Sequence, residues 1–206
     1  MGKIYTFNNK IVTLNNKWCE EYVEPTPPGP SFDEVTIGTQ TWMSKNLAID
    51  DGGTGIKTTD NVTANGVNFG TQYYYDWDAA MRIANSTPGW HLPTQAEWET
   101  LVSYCGGNND ALDKLRSTSG WQDNYNGTDD YGFGVIPVGY KMSSDNGTYD
   151  RGYTGNLWSS TEASDTSKAY YTSMGKDYGL GRWYLSTSYN WFKSECYYSV
   201  RLIKDT

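Results

Sequence analysis

Apolar and polar residues alternate in two short runs at the start of the chain, Lys3–Phe7 and Lys10–Leu14, separated by Asn8-Asn9. A second Asn pair precedes a third run, Lys17–Val23. Period-two alternation marks a half-exposed strand, and Asn accepts the left-handed backbone of tight turns, so residues 1–24 read as a small β-meander. Glu24-Pro25-Thr26-Pro27-Pro28-Gly29-Pro30 follows. Its prolines lack the amide hydrogen that sheet pairing needs and favour extended polyproline. Residues 25–31 are therefore expected to link a short attachment segment, 1–24, to a main domain over 32–206.

Within that domain the period changes from two to 3.6. Asp76–Ser86 carries Trp77, Ala80, Met81 and Ala84 at helical spacing. Pro93-Thr94-Gln95-Ala96-Glu97 has the form of a capping box, in which the Thr94 hydroxyl caps while Glu97 reaches back. That helix should run to Tyr104, with Gly106-Gly107 as its stop. Asp110–Ser117 predicts a third, shorter helix. After Gly120, Gly, Asn, Asp, Ser and aromatics dominate, and short β-like runs fall at Val135–Val138, Ala169–Ser173, Trp183–Ser186 and Tyr198–Ile203. Helices first and irregular strands later, without an internal repeat, predict an α+β class with long loops.

Composition narrows the function. Apolar residues reach only 37%, yet the chain holds 18 Tyr and 9 Trp against 5 Phe, so its core must draw on side chains that also carry a polar handle. The net charge of -8, with lysines scattered singly, argues against nucleic acid as a partner. No run of about 18 apolar residues could span a bilayer, so no membrane insertion is expected. Met1–Asn9 has no apolar stretch of the signal-peptide kind, and no such peptide is expected. Cys19, Cys105 and Cys196 fall into no CxxC or CxxH spacing, which disfavours zinc. The odd count leaves at least one free thiol. A Cys105–Cys196 bridge is compatible with the sequence, and buried thiols are the simpler reading.

Five spaced motifs occur in order: Trp42–Leu47, Gly89–Trp98, Gly132–Tyr140, Leu157–Thr161 and Ser199-Val200-Arg201. Together they resemble the Fibrobacter succinogenes major paralogous domain, common in Bacteroidetes surface proteins, over roughly Val35 to Asp205. Leu92–Trp98 also resembles the formylglycine-generating-enzyme branch of the C-type-lectin-like fold. The resemblance implies a C-type-lectin-like architecture of two main helices on a small twisted antiparallel sheet with long loops. The chain is also similar to variable proteins of diversity-generating retroelements, which share that fold and concentrate varied residues near the C-terminus. Some of these are phage tail-tip receptor binders, and their short N-terminal segments and proline linkers look like the one here. A place on a phage tail or a bacterial surface, and a homo-oligomer, would follow.

Catalysis is not expected. The formylglycine-generating enzyme needs a pair of C-terminal copper-binding cysteines, and this C-terminal region has only Cys196. The single histidine, His91, sits between Trp90 and Leu92 just before the capped helix, where packing explains it. Asp129-Asp130 reads as a turn, and Glu97 is taken up by the capping box. The acidic runs Asp123–Asp130 and Asp145–Asp150 offer oxygen ligands of the kind Ca²⁺ prefers and are equally good turn sequences. The Glu-Pro-Asn and Gln-Pro-Asp tripeptides of sugar-binding C-type lectins do not occur. No cofactor is expected.

From Tyr170 to Tyr198 the residue types are those of antibody paratopes, rigid aromatics among small polar residues. Trp158, Tyr170 and Val200 are expected in the core, and Tyr73-Tyr74-Tyr75 is expected to pack. The expected ligand-binding set is Lys176, Asp177, Tyr178, Leu180, Arg182, Trp183, Tyr184, Ser186, Tyr189, Asn190 and Trp191, with the aromatics outward. The function this predicts is recognition of a cell-surface protein or glycan. The alternative is a structural or adhesive surface or fimbrial subunit without a variable site.

Overall fold

The computed structural model describes residues 4–7, 10–13, 31–177 and 181–206. Contacts divide the chain into two compact units, Met1–Ser31 and Phe32–Thr206. In the first, β1 (Ile4–Phe7) and β2 (Lys10–Thr13) form an antiparallel hairpin with Ile4 opposite Thr13. The expected third run, Lys17–Val23, and the proline-rich linker up to Pro30 lie outside the described residues.

The second unit begins with two hairpins. The first pairs β3 (Glu34–Ile37) with β4 (Gln40–Met43), and the second pairs β5 (Ile56–Ala64) with β6 (Val67–Tyr75). The β5–β6 turn is Asn65-Gly66, both with positive φ (44° and 79°), the geometry that a two-residue hairpin turn requires. α1 (Trp77–Asn85) starts where the Asp76 carboxylate accepts from Ala79 N at 2.8 Å. After β7 (Trp90–His91), α2 (Gln95–Tyr104) opens with both halves of the capping box in place. α3 (Asn108–Leu115) starts two residues earlier than the spacing predicts and has no side-chain cap. It ends because Arg116 turns extended and bridges Val135.

The remaining strands are β8 (Tyr140–Met142), β9 (Thr148–Tyr149), β10 (Thr154–Glu162), β11 (Lys168–Asp177), β12 (Arg182–Phe192), β13 (Cys196–Tyr197) and β14 (Ile203–Lys204). The sheets, all antiparallel within themselves, run β3-β4-β14-β7, β13-β8-β9 and β10-β11-β12, with β5-β6 apart. Three helices and several small antiparallel sheets make this an α+β domain.

Strands precede as well as follow the helices, which corrects the expected order. Val135–Val138 is not a strand: Val135 is locked to the end of α3 through Leu115 O (2.8 Å) and Ser117 N (2.9 Å), and Pro137 has no amide to extend a ladder. Tyr198–Ile203 is not one strand either. It threads between sheets, its backbone bonding in turn to Tyr75, Asn156, Leu47 and Met43.

Two aromatic centres hold the domain. Trp42, Trp98 and Phe133, all fully buried, pack with ring centroids 4.6 to 6.1 Å apart. Trp158 packs on Tyr198 (4.4 Å) and donates to Tyr75 O at 2.7 Å. Truncating such a ring to Ala costs about 3–5 kcal/mol. Tyr74, Tyr75, Trp158 and Val200 are core residues as expected, whereas Tyr170 is only half-buried. Cys105 and Cys196 are buried free thiols, not a bridge.

Candidate functional site, a tyrosine-lined cleft

Cross-strand partners share a face of a sheet, so register sorts the β10–β11–β12 side chains into two sets. On one face lie Thr154 with Gly175 and Tyr184, Asn156 with Ser173 and Ser186, and the buried Trp158 with Tyr171 and Tyr189. Ala169 with Trp191 completes that face. On the other, Leu157, Met174 and Leu185 are buried in the core formed with α2 and α3, and Trp183 packs against it.

A bulge makes the first set continuous. Between the pairs Ser173–Ser186 and Tyr171–Tyr189, β11 contributes one residue, Thr172, and β12 two, Thr187 and Ser188. The extra residue resets the alternation. Tyr189 and Trp191, odd-numbered like the core-facing Trp183 and Leu185, therefore come round to the face of Tyr184 and Ser186.

This face floors a cleft of about 170 Å³. Thr154, Asn156, Tyr171, Ser173, Tyr184 and Trp191 contribute from the sheet; Tyr140, Met142, Asp150, Cys196 and Tyr198 close the far side. Asn156 and Ser173 are almost wholly buried, yet polar. The Asn156 amide donates to Thr154 Oγ1 (3.1 Å), and the Ser173 and Tyr184 hydroxyls bond each other (3.1 Å). Rings run on continuously from Tyr149 to Tyr140 (5.7 Å), Tyr198 (5.9 Å), Tyr171 (4.5 Å), Tyr189 (5.9 Å) and Tyr184 (5.6 Å). Burial, reinforced by the Asp150 charge, pushes the Tyr140 phenol up to about 12. Burial likewise lifts Tyr171, Tyr198 and the Cys196 thiol above their ordinary ranges, so all four stay protonated at neutral pH.

Of the residues expected to bind ligand, Tyr184, Ser186, Tyr189 and Trp191 share the cleft face, Tyr189 and Trp191 being 43% and 41% exposed. Trp183 instead faces the core side. It stacks on Tyr125 (4.8 Å, 6°), meets Trp121 edge-on (5.7 Å) and lies 5.3 Å from the Arg116 guanidinium. Lys176 is engaged with Asp123, and Arg182 and Asn190 are exposed. Asp177 closes β11 opposite Arg182, while Tyr178 and Leu180 lie outside the described residues.

Sequence reasoning missed Asn156, Ser173, Tyr140, Asp150 and Tyr198. A signal existed for Asn156: polar Thr154 and Asn156 alternate with Gly155 and Leu157 immediately before the Leu157–Thr161 motif. His91 is held between Glu97 Oε1 (2.9 Å) and Asp205 Oδ1 (2.6 Å). The acidic runs form turns, with positive φ at Asp123, Asn124, Asp129, Asn146 and Asp150. Among the described residues no group of three or more His, Cys, Asp or Glu is placed to hold a metal ion. Among them, too, no helix is long and apolar enough to cross a membrane.

The model of the Fibrobacter succinogenes major domain matches residues 35–204. The chain belongs to this family. No curated protein and no solved structure matches it. The match takes in every residue of the cleft. The motifs that carry the Fibrobacter succinogenes major domain supply buried anchors, Trp42, Trp98, Phe133, Trp158 and Arg201, each at most 1% exposed. Tyr184, Tyr189 and Trp191 fall between the last two of those motifs, on the scaffold the anchors build.

Proposed function

We propose that this chain is a non-catalytic recognition module that binds a protein or glycan on a cell surface through the β11–β12 face and its cleft. The observation that carries the reading is the unbroken line of rings from the buried Tyr198 out to Tyr189, with Trp191 exposed at the cleft beside it. Tyr and Trp give large contact area at small loss of side-chain freedom, and exposed aromatics aligned by a rigid sheet favour binding over packing. The elements fit a C-type-lectin-like scaffold, with α1 and α2 as its two main helices and the β10–β12 region as its ligand-facing part. Display on a phage tail or bacterial surface, with diversification of the outward β12 positions, is the setting we favour.

The test uses the fluorescently labelled chain on panels of intact bacterial and epithelial cells. Tyr189→Ala with Trp191→Ala should lower cell binding at least about tenfold. Although Tyr189 gives up its packing on Tyr171 and Tyr184, the domain should stay folded by circular dichroism, since the core rings are untouched. Undiminished binding by this folded variant would refute the assignment.

A further inference from the structure

We propose that the cleft is a calcium-independent site for one neutral sugar ring, the terminal residue of a glycan. The inference rests on the recognition reading and narrows its ligand from a protein or glycan to a glycan.

Size comes first. A cleft of about 170 Å³ is well below the ~300–1,000 Å³ of pockets that enclose drug-sized ligands, so it holds one ring and not a peptide segment. Chemistry then selects among small ligands. The lining offers the Ser173 hydroxyl, the Asn156 amide and the phenols of Tyr140, Tyr171 and Tyr184. Each can both donate and accept. A sugar hydroxyl also does both, so a ring with several hydroxyls can match such a lining throughout.

Other classes match it poorly. An ammonium group only donates: it could use the Asp150 carboxylate, the hydroxyl oxygens and the rings, but it could not accept from the Asn156 amide, whereas a sugar hydroxyl can do both. A phosphate or carboxylate only accepts; among the described residues no Lys or Arg lines the cleft, and Asp150 would repel an anion. Trp191, exposed at the cleft, offers an aromatic platform for the apolar C–H face of the ring. Asp150 is the one carboxylate among the described lining residues, where a calcium site asks for six to eight oxygens with several carboxylates.

The full chain is titrated, with and without a chelator, against free hexoses, N-acetylhexosamines, deoxyhexoses and pentoses. Choline and inorganic phosphate serve as the charged probes, and calorimetry and saturation-transfer NMR are the readouts. At least one sugar should saturate in the millimolar range regardless of chelator. Tyr184→Phe, which removes a hydroxyl and keeps the ring, and Ser173→Ala should each weaken it roughly tenfold, as expected for a buried hydrogen bond lost. Their unchanged melting curves would exclude a folding defect. The sugar inference falls if no sugar binds, if choline or phosphate saturates in its place, if the chelator abolishes binding, or if Tyr184→Phe binds sugar as the wild type does. Should it fall while labelled chain still binds cells through Tyr189 and Trp191, the recognition reading survives. If neither sugar nor cell is bound, both readings fall.

Discussion

Replacing Asp60 by Ala should destabilise the domain and loosen the far wall of the cleft. Asp60 on β5 sits 3.1 Å from Lys141 Nζ and 2.5 Å from Arg151 Nη2, and accepts from Thr148 Oγ1 at 2.8 Å. The Lys141 side chain is 4% exposed, and its further contacts are neutral: Asn146 O at 3.4 Å and the Tyr74 ring at 5.9 Å. Asp60→Ala would leave a buried ammonium without a counter-charge. Breaking a buried ion pair from one side costs about 3–5 kcal/mol. Asp60 itself is 30% exposed, so solvent screens part of the attraction and about 3 kcal/mol is the value to expect. At roughly 2–4 °C per kcal/mol for a domain of this size, the melting temperature should drop by roughly 6–12 °C. Calorimetry on Asp60→Ala, Lys141→Met and the double variant completes the cycle. Lys141→Met keeps the stem and removes the charge, so the double variant should recover most of the loss. Because Tyr140 and Met142 flank Lys141 on β8, ligand affinity should follow the same order. An Asp60→Ala protein melting within about 2 °C of wild type, or a double variant no better than Asp60→Ala, would refute the reasoning.

His91 sets a pH dependence. Burial alone would lower its pKa, but the bonds to Glu97 and Asp205 outweigh burial and hold it above 6.5. Its protonated form therefore stabilises fully below pH 6.5, and that contribution is lost as pH rises through the folded value. Melting temperature should fall from pH 6.5 upward, and His91→Gln should flatten the fall; an unchanged slope in His91→Gln would count against the pairing. Deleting Thr187 would remove the bulge and send Tyr189 and Trp191 to the face of Leu185. Cell binding should drop at least about tenfold while the helical circular dichroism of α1 to α3 stays, and retained binding would show that strand parity does not aim these rings.

Local signals were legible in the sequence and non-local ones were not. The α2 cap was readable because Thr94 and Glu97 satisfy each other's turn within four residues. The β5–β6 hairpin was also announced locally, by Asn65-Gly66, but its Thr, Asn and Asp content masks the alternation. In Tyr170–Tyr198 only the short runs Ala169–Ser173 and Trp183–Ser186 were legible as strands, not the full β11 and β12, nor which aromatics face out. That depends on a bulge defined by pairing with β11, and on Arg116, 67 positions upstream of Trp183, which draws that ring inward. Tyr140 and Asp150 of the far wall and Asn156 of the floor lie 35 to 51 residues before Trp191, and none of them is on a strand paired with β12.

The polarity of the cleft floor supports the proposed recognition role over mere packing. Thr154, Asn156 and Ser173 are each at most 5% exposed on the face opposite Leu157, Met174 and Leu185. Burying polar groups adds little net stability even when they are hydrogen-bonded, and well-packed apolar side chains would serve a purely structural sheet as well or better. On their other face the same three strands bury Leu157, Met174 and Leu185, with Thr172 buried among them, so the β10–β12 ladder itself does not call for a run of polar side chains here. What the polar side chains add is a row of donors and acceptors, next to exposed Trp191, that a ligand can complete. Strand parity thus puts the polar row and the outward rings on one face, beside the anchoring Trp158, and seats the sheet on α2 and α3 through the other. On the proposed reading, changes at Tyr184, Ser186, Tyr189 and Trp191 would alter what is bound while Leu185 and Met174 keep the sheet seated on α2 and α3.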